Sequence, residues 1–344
     1  MKENERNNHW PLVGNERIAD FLEKVLAGKQ ATGTYIFAGP NGLGKTTTAL
    51  YFAQSLFCQK RRGKEAPCGL CPSCRQFKNG SQVLPVESLL AHSDLHFIKC
   101  EEGKKNISIT QVREFIGALG LSSFLNSYQI GIIKDAEHLS IEAGNALLKT
   151  LEEPKAKVVI ILIANQPELL PQTIVSRSQI LQFHLAPSNL IFDHLLEKYK
   201  LPRSLAKRIA RFSAGRPALA SKYAEDQVLF KARLAETEKF FSLFSEDFLA
   251  RMKTAEDALK DNEGAVGALG VINSWEAGMR DLYLSYFNHP DLAWTEAGEK
   301  SGLAIKDFAP AKIITLAEEF KKARKYLNAN VSPKAVLEQL IINL

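Results

Sequence analysis

A glycine-rich segment between an apolar run and a helical pattern constrains the fold of this chain more than any other feature. The segment reads Gly39-Pro-Asn-Gly-Leu-Gly-Lys45-Thr46 and follows the apolar run Thr34-Tyr-Ile-Phe-Ala38. Its spacing is that of a phosphate-binding loop, in which backbone N–H groups converge on phosphate oxygens and a helix N-terminus adds positive potential. Such a loop requires a strand before it and a helix after it. The sequence predicts both, with the helix beginning at Thr47.

The phosphate loop predicts nucleotide binding, and ATP is the nucleotide that we expect. Lys45 is placed to reach the terminal phosphates, and the Thr46 hydroxyl is placed to ligate Mg²⁺. Hydrolysis of the nucleotide needs further residues on other strands. The residues that we expect around the phosphates are Gly39, Asn41, Gly42, Gly44, Lys45, Thr46 and Thr47.

A cluster of four cysteines follows the helix that the phosphate loop begins. Cys58 is separated by nine residues from Cys68-Gly-Leu-Cys71-Pro-Ser-Cys74. Two-residue spacing, repeated twice, is typical of metal sites, and four thiolates match the closed tetrahedral coordination of structural Zn²⁺. We therefore predict a structural zinc module over residues 58–74, with reduced thiols or a redox pair as the alternative. The fifth cysteine, Cys100, is expected to be a small buried apolar residue.

Short apolar runs alternate with helical patterns between residues 34 and 185, which indicates an α/β fold. Near-continuous β-branched runs between helices are typical of strands that are buried on both faces of a parallel sheet. We therefore predict a doubly wound α/β domain over residues 1–186. Besides the strand before the phosphate loop, the predicted strands are Asp94–Ile98, Gln129–Ile133, Lys157–Ile163 and Gln179–Phe183.

Beyond this domain the strand pattern stops, and apolar residues recur at three- and four-residue spacing. This spacing predicts helices. We predict a small helical lid over residues 187–226, including a helix with Ser204 as its N-cap. An all-α domain over residues 227–344 follows, and its last helix is marked by Ser332 before Pro333.

The charge and the N-terminal sequence restrict the setting in which this chain works. Its 344 residues carry a net charge of +6, a mild excess that is compatible with nucleic acid nearby but does not define a binding surface. The first eight residues are polar, and the longest apolar run, Val158–Ala164, is far too short to span a bilayer. We expect a cytoplasmic protein without a membrane segment. The basic run at residues 60–64 is expected to be a solvated loop, with a nucleic-acid contact as the alternative.

The end of the strand Gln129–Ile133 departs from what ATP hydrolysis requires. Phosphate-loop ATPases hold Mg²⁺ with an acidic residue on a second strand, and a neighbouring residue orients the attacking water. Here Lys134 occupies the metal-ligand position and Asp135 the water-orienting position. Because a cation there disfavours Mg²⁺, we predict nucleotide binding with weak or absent hydrolysis. In the alternatives, Lys134 bends its stem aside, or the register slips so that Asp135 serves the metal.

Further stretches of the sequence are specific enough to indicate a family. They are His92-Ser-Asp-Leu95, Ile107–Arg113, Asn145–Pro154 and Leu170–Arg177. Together with the phosphate loop and its cysteine insertion, they resemble the delta-prime subunits of bacterial DNA polymerase III clamp loaders, within the AAA+ family. The resemblance is clear over residues 10–222, and the end of the chain resembles the family's helical collar. It implies an AAA+ domain followed by a helical lid and by a collar that joins subunits into a ring.

The resemblance also implies a function and three further site residues. Such a ring uses ATP to open the sliding clamp and place it on primed DNA, and the implied partners are the gamma/tau and delta subunits. Polymerase activity belongs to the holoenzyme. Arg177 resembles an arginine finger that reaches the γ-phosphate held by a neighbouring gamma/tau subunit, with a surface ion pair as the alternative. Arg216 resembles a sensor arginine and Asn165 a polar sensor at a strand end.

The identity of the subunit type depends on the residue at position 134. Lys134 favours a delta-prime subunit, in which the loss of ATPase function is tolerated, over a gamma/tau-type motor subunit with full ATPase activity. A zinc-module protein that binds nucleic acid without partners is a third possibility, for which we would expect a steep salt dependence.

Overall fold

The computed structural model describes residues 10–28, 31–60, 67–79, 82–83, 92–101, 104–123, 128–153, 157–244, 246–260, 264–289, 293, 310–329 and 331–343. Most of the predicted basic run at 60–64 and Pro154 lie outside these residues. The chain divides into two compact units, one of residues 1–191 with 215–219 and one of 192–214 with 220–344. The three-domain boundaries expected from the sequence stay a prediction.

The first unit is an α/β domain built on a parallel sheet. The strands of the sheet are β1 (Gly33–Ala38), β4 (Leu95–Ile98), β5 (Gln129–Lys134), β6 (Val158–Ala164) and β7 (Ser178–Gln182), and an antiparallel pair is formed by β2 (Lys78–Asn79) and β3 (Gln82–Val83). The five strands lie in the order β4-β5-β6-β1-β7, and every neighbouring pair is parallel. The helices are α1 (Glu16–Ala27), α2 (Lys45–Phe57), α3 (Pro72–Gln76), α4 (Ile109–Leu119), α5 (Ile141–Glu152) and α6 (Gln172–Val175).

Helices cover both faces of this sheet, as the apolar runs predict. All of Val158–Ala164 is buried, which is the pattern of a central parallel strand. Because side chains alternate along a strand, Ile132 packs into the core formed with α1 and α2, whereas Ile133 packs into the core formed with α4 and α5. The predicted fold class and strands are confirmed to within about one residue at each strand end.

The described residues after Gln182 contain helices and no strand. In the second unit, Trp275, Phe240 and Phe320 are fully buried and belong to one hydrophobic core. The helices after Gln182 are α7 (Ser188–Tyr199), α8 (Arg203–Phe212), α9 (Pro217–Glu225), α10 (Gln227–Ser242), α11 (Phe248–Lys260), α12 (Gly264–Tyr286), α13 (Pro310–Asn328) and α14 (Pro333–Ile342), and the first residues of α7 and α9 belong to the first unit.

Two predicted helix starts are wrong. Helix α2 begins at Lys45 rather than at Thr47, because Gly44 is its N-cap with a left-handed φ of 87°. Helix α8 begins at Arg203 with Pro202 as its N-cap, so that Ser204 lies inside the first turn and is exposed. Proline has a fixed φ that suits a helix start, and it displaced the serine that the sequence favoured. None of the described helices is long and apolar enough to cross a membrane.

Candidate functional site

The phosphate loop connects β1 to α2 through backbone conformations that need glycine. Gly39 has a φ of 135°, and a Cβ built on it would lie 2.5 Å from the carbonyl oxygen of Phe183. Gly42 has a φ of 85°, and a Cβ there would lie 3.2 Å from the Cβ of Arg216. A side chain at either position would therefore displace the neighbouring chain or strain the loop. The predicted sequence context, strand then loop then helix, is present.

Lys45 is the buried cation of this loop. Its side chain is only 5% exposed, and its Nζ donates hydrogen bonds to the carbonyl oxygens of Gly39 and Pro40, the latter at 2.7 Å. A third hydrogen bond of 3.0 Å goes to Asn165 Oδ1. Burial lowers the pKa of Lys45 to about 8, although the carboxylates of Glu137 and Asp135 oppose this shift. The amine is thus held among oxygen acceptors in a partly desolvated setting.

Asn165 connects the phosphate loop to the acidic residues that follow β5. Its Nδ2 donates to Asp135 Oδ1 at 2.9 Å, and its backbone N–H donates to Glu137 Oε1 at 3.0 Å. The other carboxylate oxygen, Glu137 Oε2, is buried and has no hydrogen-bond partner among the described residues. Asn165 therefore bonds to one cation and two anions, and its role as a polar sensor stays a prediction.

The role of Glu137 was not predicted from the sequence. It lies in a one-turn 3₁₀ helix, Ala136–His138, that begins after Asp135 turns the chain with a φ of 53°. This turn brings the carboxylate back to the end of β6. An acidic residue two positions after Asp135 was the available signal, but strand alternation does not apply beyond the strand end.

Lys134 is the last residue of β5 and pairs with Ile163 of β6. By alternation it faces the same side of the sheet as Ile130 and Ile132, whose core is shared with α2, the helix that the phosphate loop begins. Asp135 lies outside the strand, in a left-handed conformation. The strand register therefore puts a lysine, not an acid, on the side of the sheet that α2 covers.

The segment 215–219, which belongs to the first unit, brings Arg216 to the phosphate loop. The backbone N–H of Ala218 donates to the carbonyl oxygen of Gly42 at 3.0 Å, and Arg216 is half-buried against Gly42. The structure thus places Arg216 beside Gly39–Thr46, together with Lys45. Asn41 is exposed, and its Oδ1 accepts a hydrogen bond of 2.9 Å from the backbone N–H of Gly42.

Arg177 lies apart from these residues, between α6 and the edge strand β7. Its guanidinium donates to the Thr173 carbonyl oxygen at 3.0 Å and to Ser176 Oγ at 3.3 Å. It also forms a 2.8 Å ion pair with Glu152, in which the two side chains are 36% and 51% exposed. The sequence did not predict this partner, although Glu152 belongs to the Asn145–Pro154 motif.

The four clustered cysteines converge at the other end of α2. Cys58 is the C-cap of that helix, Cys71 is the N-cap of the short helix α3, Cys74 lies within α3, and Cys68 precedes it. Their four sulfur atoms all lie within 4.8 Å of one another, and Cys68 Sγ and Cys74 Sγ are 4.0 Å apart. Tetrahedral Zn²⁺ with Zn–S bonds of about 2.3 Å requires sulfurs about 3.8 Å apart. The donor set therefore fits one such ion and leaves no open coordination position.

Backbone N–H groups turn toward these sulfurs, as they do around thiolates. Cys58 Sγ accepts from the Cys68 N–H at 3.2 Å, and Cys68 Sγ accepts from the Cys71 N–H at 3.3 Å. The N–H groups of Leu70 and Cys71 lower the pKa of Cys68 to about 6, whereas burial raises the pKa of Cys58 and of Cys74. Four thiolates this close repel one another, so a divalent cation is what allows them to ionise together.

Aromatic rings at both ends of the cysteine module pack against His92, which precedes β4. His92 is 1% exposed and stacks on Phe57 with ring centroids 4.0 Å apart, and its centroid lies 5.7 Å from that of Phe77. Phe57 precedes Cys58 and Phe77 follows Cys74 closely, so the stack holds both ends of the module. The fifth cysteine, Cys100, is half-buried rather than buried, and its thiol donates to the Lys104 carbonyl oxygen at 3.0 Å.

Comparisons with known proteins agree with this architecture. A family model described as "DNA polymerase III, delta subunit" matches residues 14–187, just over half of the chain. The DNA polymerase III subunit delta-prime of Bacillus subtilis is 31% identical over 198 residues, which cover 57% of this chain and 55% of that one. The subunit tau of the same organism is 34% identical over 184 residues, which cover 54% of this chain and 30% of that one.

A solved structure is similar over most of the chain. It is a DNA polymerase III gamma subunit-related protein from Thermotoga maritima, with a TM-score of 0.51 and 15% identity over 94% of this chain and 97% of that one. At this identity the likeness concerns the fold. The alignments to the two curated relatives above span about half of their length or less. The phosphate loop, the cysteine module and the family match lie in the same unit, and this chain belongs to the DNA polymerase III delta-subunit family, with similarity to delta-prime subunits.

Proposed function

We propose that this chain completes the ATPase site of a neighbouring clamp-loader subunit with Arg177, and that it binds ATP with weak or absent hydrolysis of its own. In this role it works in the cytoplasm with gamma/tau and delta subunits, and helps the assembly place a sliding clamp on primed DNA. The observation that carries the proposal is the positive charge of Lys134 at the end of β5, on the side of the sheet that α2 covers.

The acidic residues near Lys134 support weak hydrolysis. Asp135 and Glu137 both accept hydrogen bonds from Asn165. Both carboxylates also raise the pKa of Lys45 and so favour its charged form. The oxygens Asp135 Oδ1 and Glu137 Oε1 are thereby less available to coordinate a metal ion or to orient a water molecule, and Glu137 Oε2 is buried. Asp135 and Glu137 thus partly balance the positive charge of Lys45 within the protein.

The residues around the phosphate loop support nucleotide binding. ATP would supply a chain of anionic oxygens, which is the ligand that a glycine loop and a helix N-terminus accept. Lys45 can exchange its carbonyl acceptors in Gly39 and Pro40 for phosphate oxygens, and hydrogen bonds between charged groups are the stronger ones. Thr46 and Thr47 lie in the first turn of α2, and Arg216 lies against Gly42. These residues would bind and orient the triphosphate.

The setting of Arg177 supports a role in trans. Its ion pair with Glu152 is exposed on both sides, and exposed pairs contribute only about 0–1 kcal/mol. A γ-phosphate carries more charge than a carboxylate, so the guanidinium can leave Glu152 for a phosphate at small cost. Glu152 would then hold Arg177 in place until the neighbouring subunit docks.

A second candidate function is that of an ATP-hydrolysing motor subunit. The match to the tau subunit of Bacillus subtilis, at 34% identity, favours this alternative as much as the delta-prime match favours the first. The two functions differ in what they predict for the isolated chain. A motor subunit turns over ATP through its own Lys45, whereas the proposed subunit does not.

The test of the proposed role is reconstitution of the Arg177→Ala variant with gamma/tau, delta and clamp. We expect single-turnover ATP hydrolysis at the receiving site to slow by about 10³-fold, since an arginine finger contributes at least that much. Arg177→Lys should be nearly as slow because it loses the planar fork. Arg113→Ala, an exposed arginine on α4, is the matched control. Unchanged hydrolysis and clamp loading with Arg177→Ala would exclude the proposed role.

A further inference from the structure

Helix α8 has an exposed face that consists of basic residues. Its ten residues, Arg203–Phe212, include four cations and no acid. Ala206, Ile209, Ala210 and Phe212 are buried, whereas Arg203, Lys207 and Arg208 are exposed. With 100° between successive residues, these three side chains fall within one side of the helix. The exposed side chains of Arg203, Lys207 and Arg208 are called the α8 basic face.

The α8 basic face differs from several cations of other helices in the second unit. Three lysines there pair with an acid three positions away, namely Lys239–Glu236 at 3.2 Å, Lys260–Asp257 at 2.8 Å and Lys322–Glu319 at 2.7 Å. Helix α8 has no acid at such positions. Within the part of the chain that the structure describes, Arg203, Lys207 and Arg208 form no ion pair.

This arrangement works against the stability of the helix. Like charges four residues apart, as in Arg203 and Lys207, destabilise a helix rather than stabilise it. A preceding exposed lysine, Lys200, adds to the same charge. An external anion that binds unpaired cations offsets their mutual repulsion. The α8 basic face therefore has the charge pattern of a surface that binds an anionic ligand.

The neighbouring helices along the chain indicate which class of anion would bind the α8 basic face. Protein interfaces have an apolar centre and few lysines. Among the described residues, no exposed large apolar side chain lies between Leu185 and Val228, the stretch that contains α7, α8 and α9. Charge without apolar area suits a polyanion that is recognised by its backbone.

We propose that the α8 basic face binds the phosphate backbone of duplex DNA. Arg203 and Lys207 are four residues apart, which corresponds to about 6 Å along the helix. Duplex DNA presents one negative charge per about 1.7 Å of its axis, so a short row of cations meets several phosphates in any register. The contact is independent of sequence, and it does not depend on the role proposed for Arg177.

The test measures binding of the full chain to a fluorescently labelled DNA duplex over a series of salt concentrations. The variant is R203Q/K207Q/R208Q, which keeps good helix formers at exposed positions. The matched control, K253Q/K321Q/K325Q, removes the same charge from exposed positions of α11 and α13. We expect the slope of log affinity against log salt to become shallower by about 1 for each α8 residue removed. The control should keep a slope close to that of the unchanged protein.

Two outcomes would overturn the inference. In one, the α8 variant binds the DNA duplex as tightly as the unchanged chain does. In the other, the α8 variant and the control lose affinity equally, so that net charge alone accounts for binding. Circular dichroism checks that the variants are folded, and Lys207→Gln alone, with an expected slope change of about 1, serves if the triple variant is not.

Discussion

The two ends of α2 carry the two candidate ligand sites of the α/β unit, and their polar groups are satisfied in different ways. At the N-terminal end, Lys45 has three oxygen acceptors, and the acids that act on its charge are bonded to Asn165. At the C-terminal end, the cysteine sulfurs have backbone N–H donors and one another. Among the described residues, charged side chains of both signs meet at the first site, whereas the sulfurs of the second site contact backbone N–H groups and one another.

The contrast between the two ends indicates which ligand the fold itself requires. In the phosphate loop, the Lys45 amine has oxygen acceptors that belong to the protein. A nucleotide that binds there would replace these acceptors with its phosphate oxygens. The cysteine module brings four ionisable sulfurs together, and among the described residues their hydrogen-bond donors are backbone N–H groups and not charged side chains. We therefore expect the metal to contribute to folding, and the nucleotide to contribute to binding and assembly.

The strongest effect of a single substitution is expected at the cysteine end. Cys74→Ser should abolish stoichiometric zinc and lower the free energy of unfolding by several kcal/mol, because metal binding in such modules is coupled to folding. Elemental analysis and thermal unfolding measure the two effects. Cys100→Ser, outside the cluster, is the control and should keep about one zinc per chain. Full zinc content and an unchanged melting temperature in Cys74→Ser would contradict the structural role.

A smaller effect is expected from restoring an acid at the end of β5. We expect ATP affinity to be nearly independent of Mg²⁺ in the unchanged chain and to increase about tenfold with Mg²⁺ in Lys134→Asp, since an acid replaces a cation beside the metal position. Isothermal titration calorimetry with and without Mg²⁺ measures this difference. Lys134→Ala separates removal of the cation from addition of a ligand. Strong Mg²⁺ dependence in the unchanged chain would show that Lys134 does not exclude the metal.

The protonation of Lys45 predicts a pH dependence at the phosphate loop. Its pKa is lowered to about 8, so the free protein loses this charge as the pH rises through that value. ATP binds the protonated amine more strongly, and affinity should therefore fall above about pH 8. In Lys45→Arg the side chain stays charged, and the affinity should vary little over the same range. Equal pH profiles for the two proteins would remove Lys45 from the phosphate contacts.

The weakest of these effects concerns Glu137. Its carboxylate raises the pKa of Lys45 against the effect of burial, so Glu137→Gln should lower that pKa further. The pH at which ATP affinity begins to fall should then be lower than in the unchanged chain. The side-chain amide oxygen of the Glu137→Gln variant can still accept from the Asn165 backbone N–H, so the fold is expected to persist. A shift of the profile to higher pH would contradict this account of the charges.

The sequence predicted the sheet well because its signals are local. Runs such as Val158–Ala164 are too short and too β-branched for helices, and parallel strands buried on both faces leave few other interpretations. The phosphate loop and the cysteine spacing are local signals of the same kind. The starts of α2 and α8 were missed because capping by Gly44 and Pro202 depends on backbone conformation more than on side-chain type.

The site was predicted in its parts but not in its connections. Lys45 and Asn165 were both named from the sequence, yet their hydrogen bond joins positions 120 residues apart. The bonds of Asn165 to Asp135 and Glu137 depend on a left-handed turn after β5, and the Glu152 partner of Arg177 depends on how α5 and α6 pack. Such contacts follow from tertiary structure, which spacing along the chain does not encode.

Whether this chain binds nucleotide without hydrolysing it is decided by comparing ATP binding and ATP turnover in the purified chain and in its Lys45→Ala variant. We predict that the unchanged chain binds ATP, that the variant does not, and that ADP forms at the same background rate in both. Repeated turnover by the unchanged chain that is lost in Lys45→Ala would contradict the proposed role, because the chain would then be a motor that hydrolyses its own nucleotide.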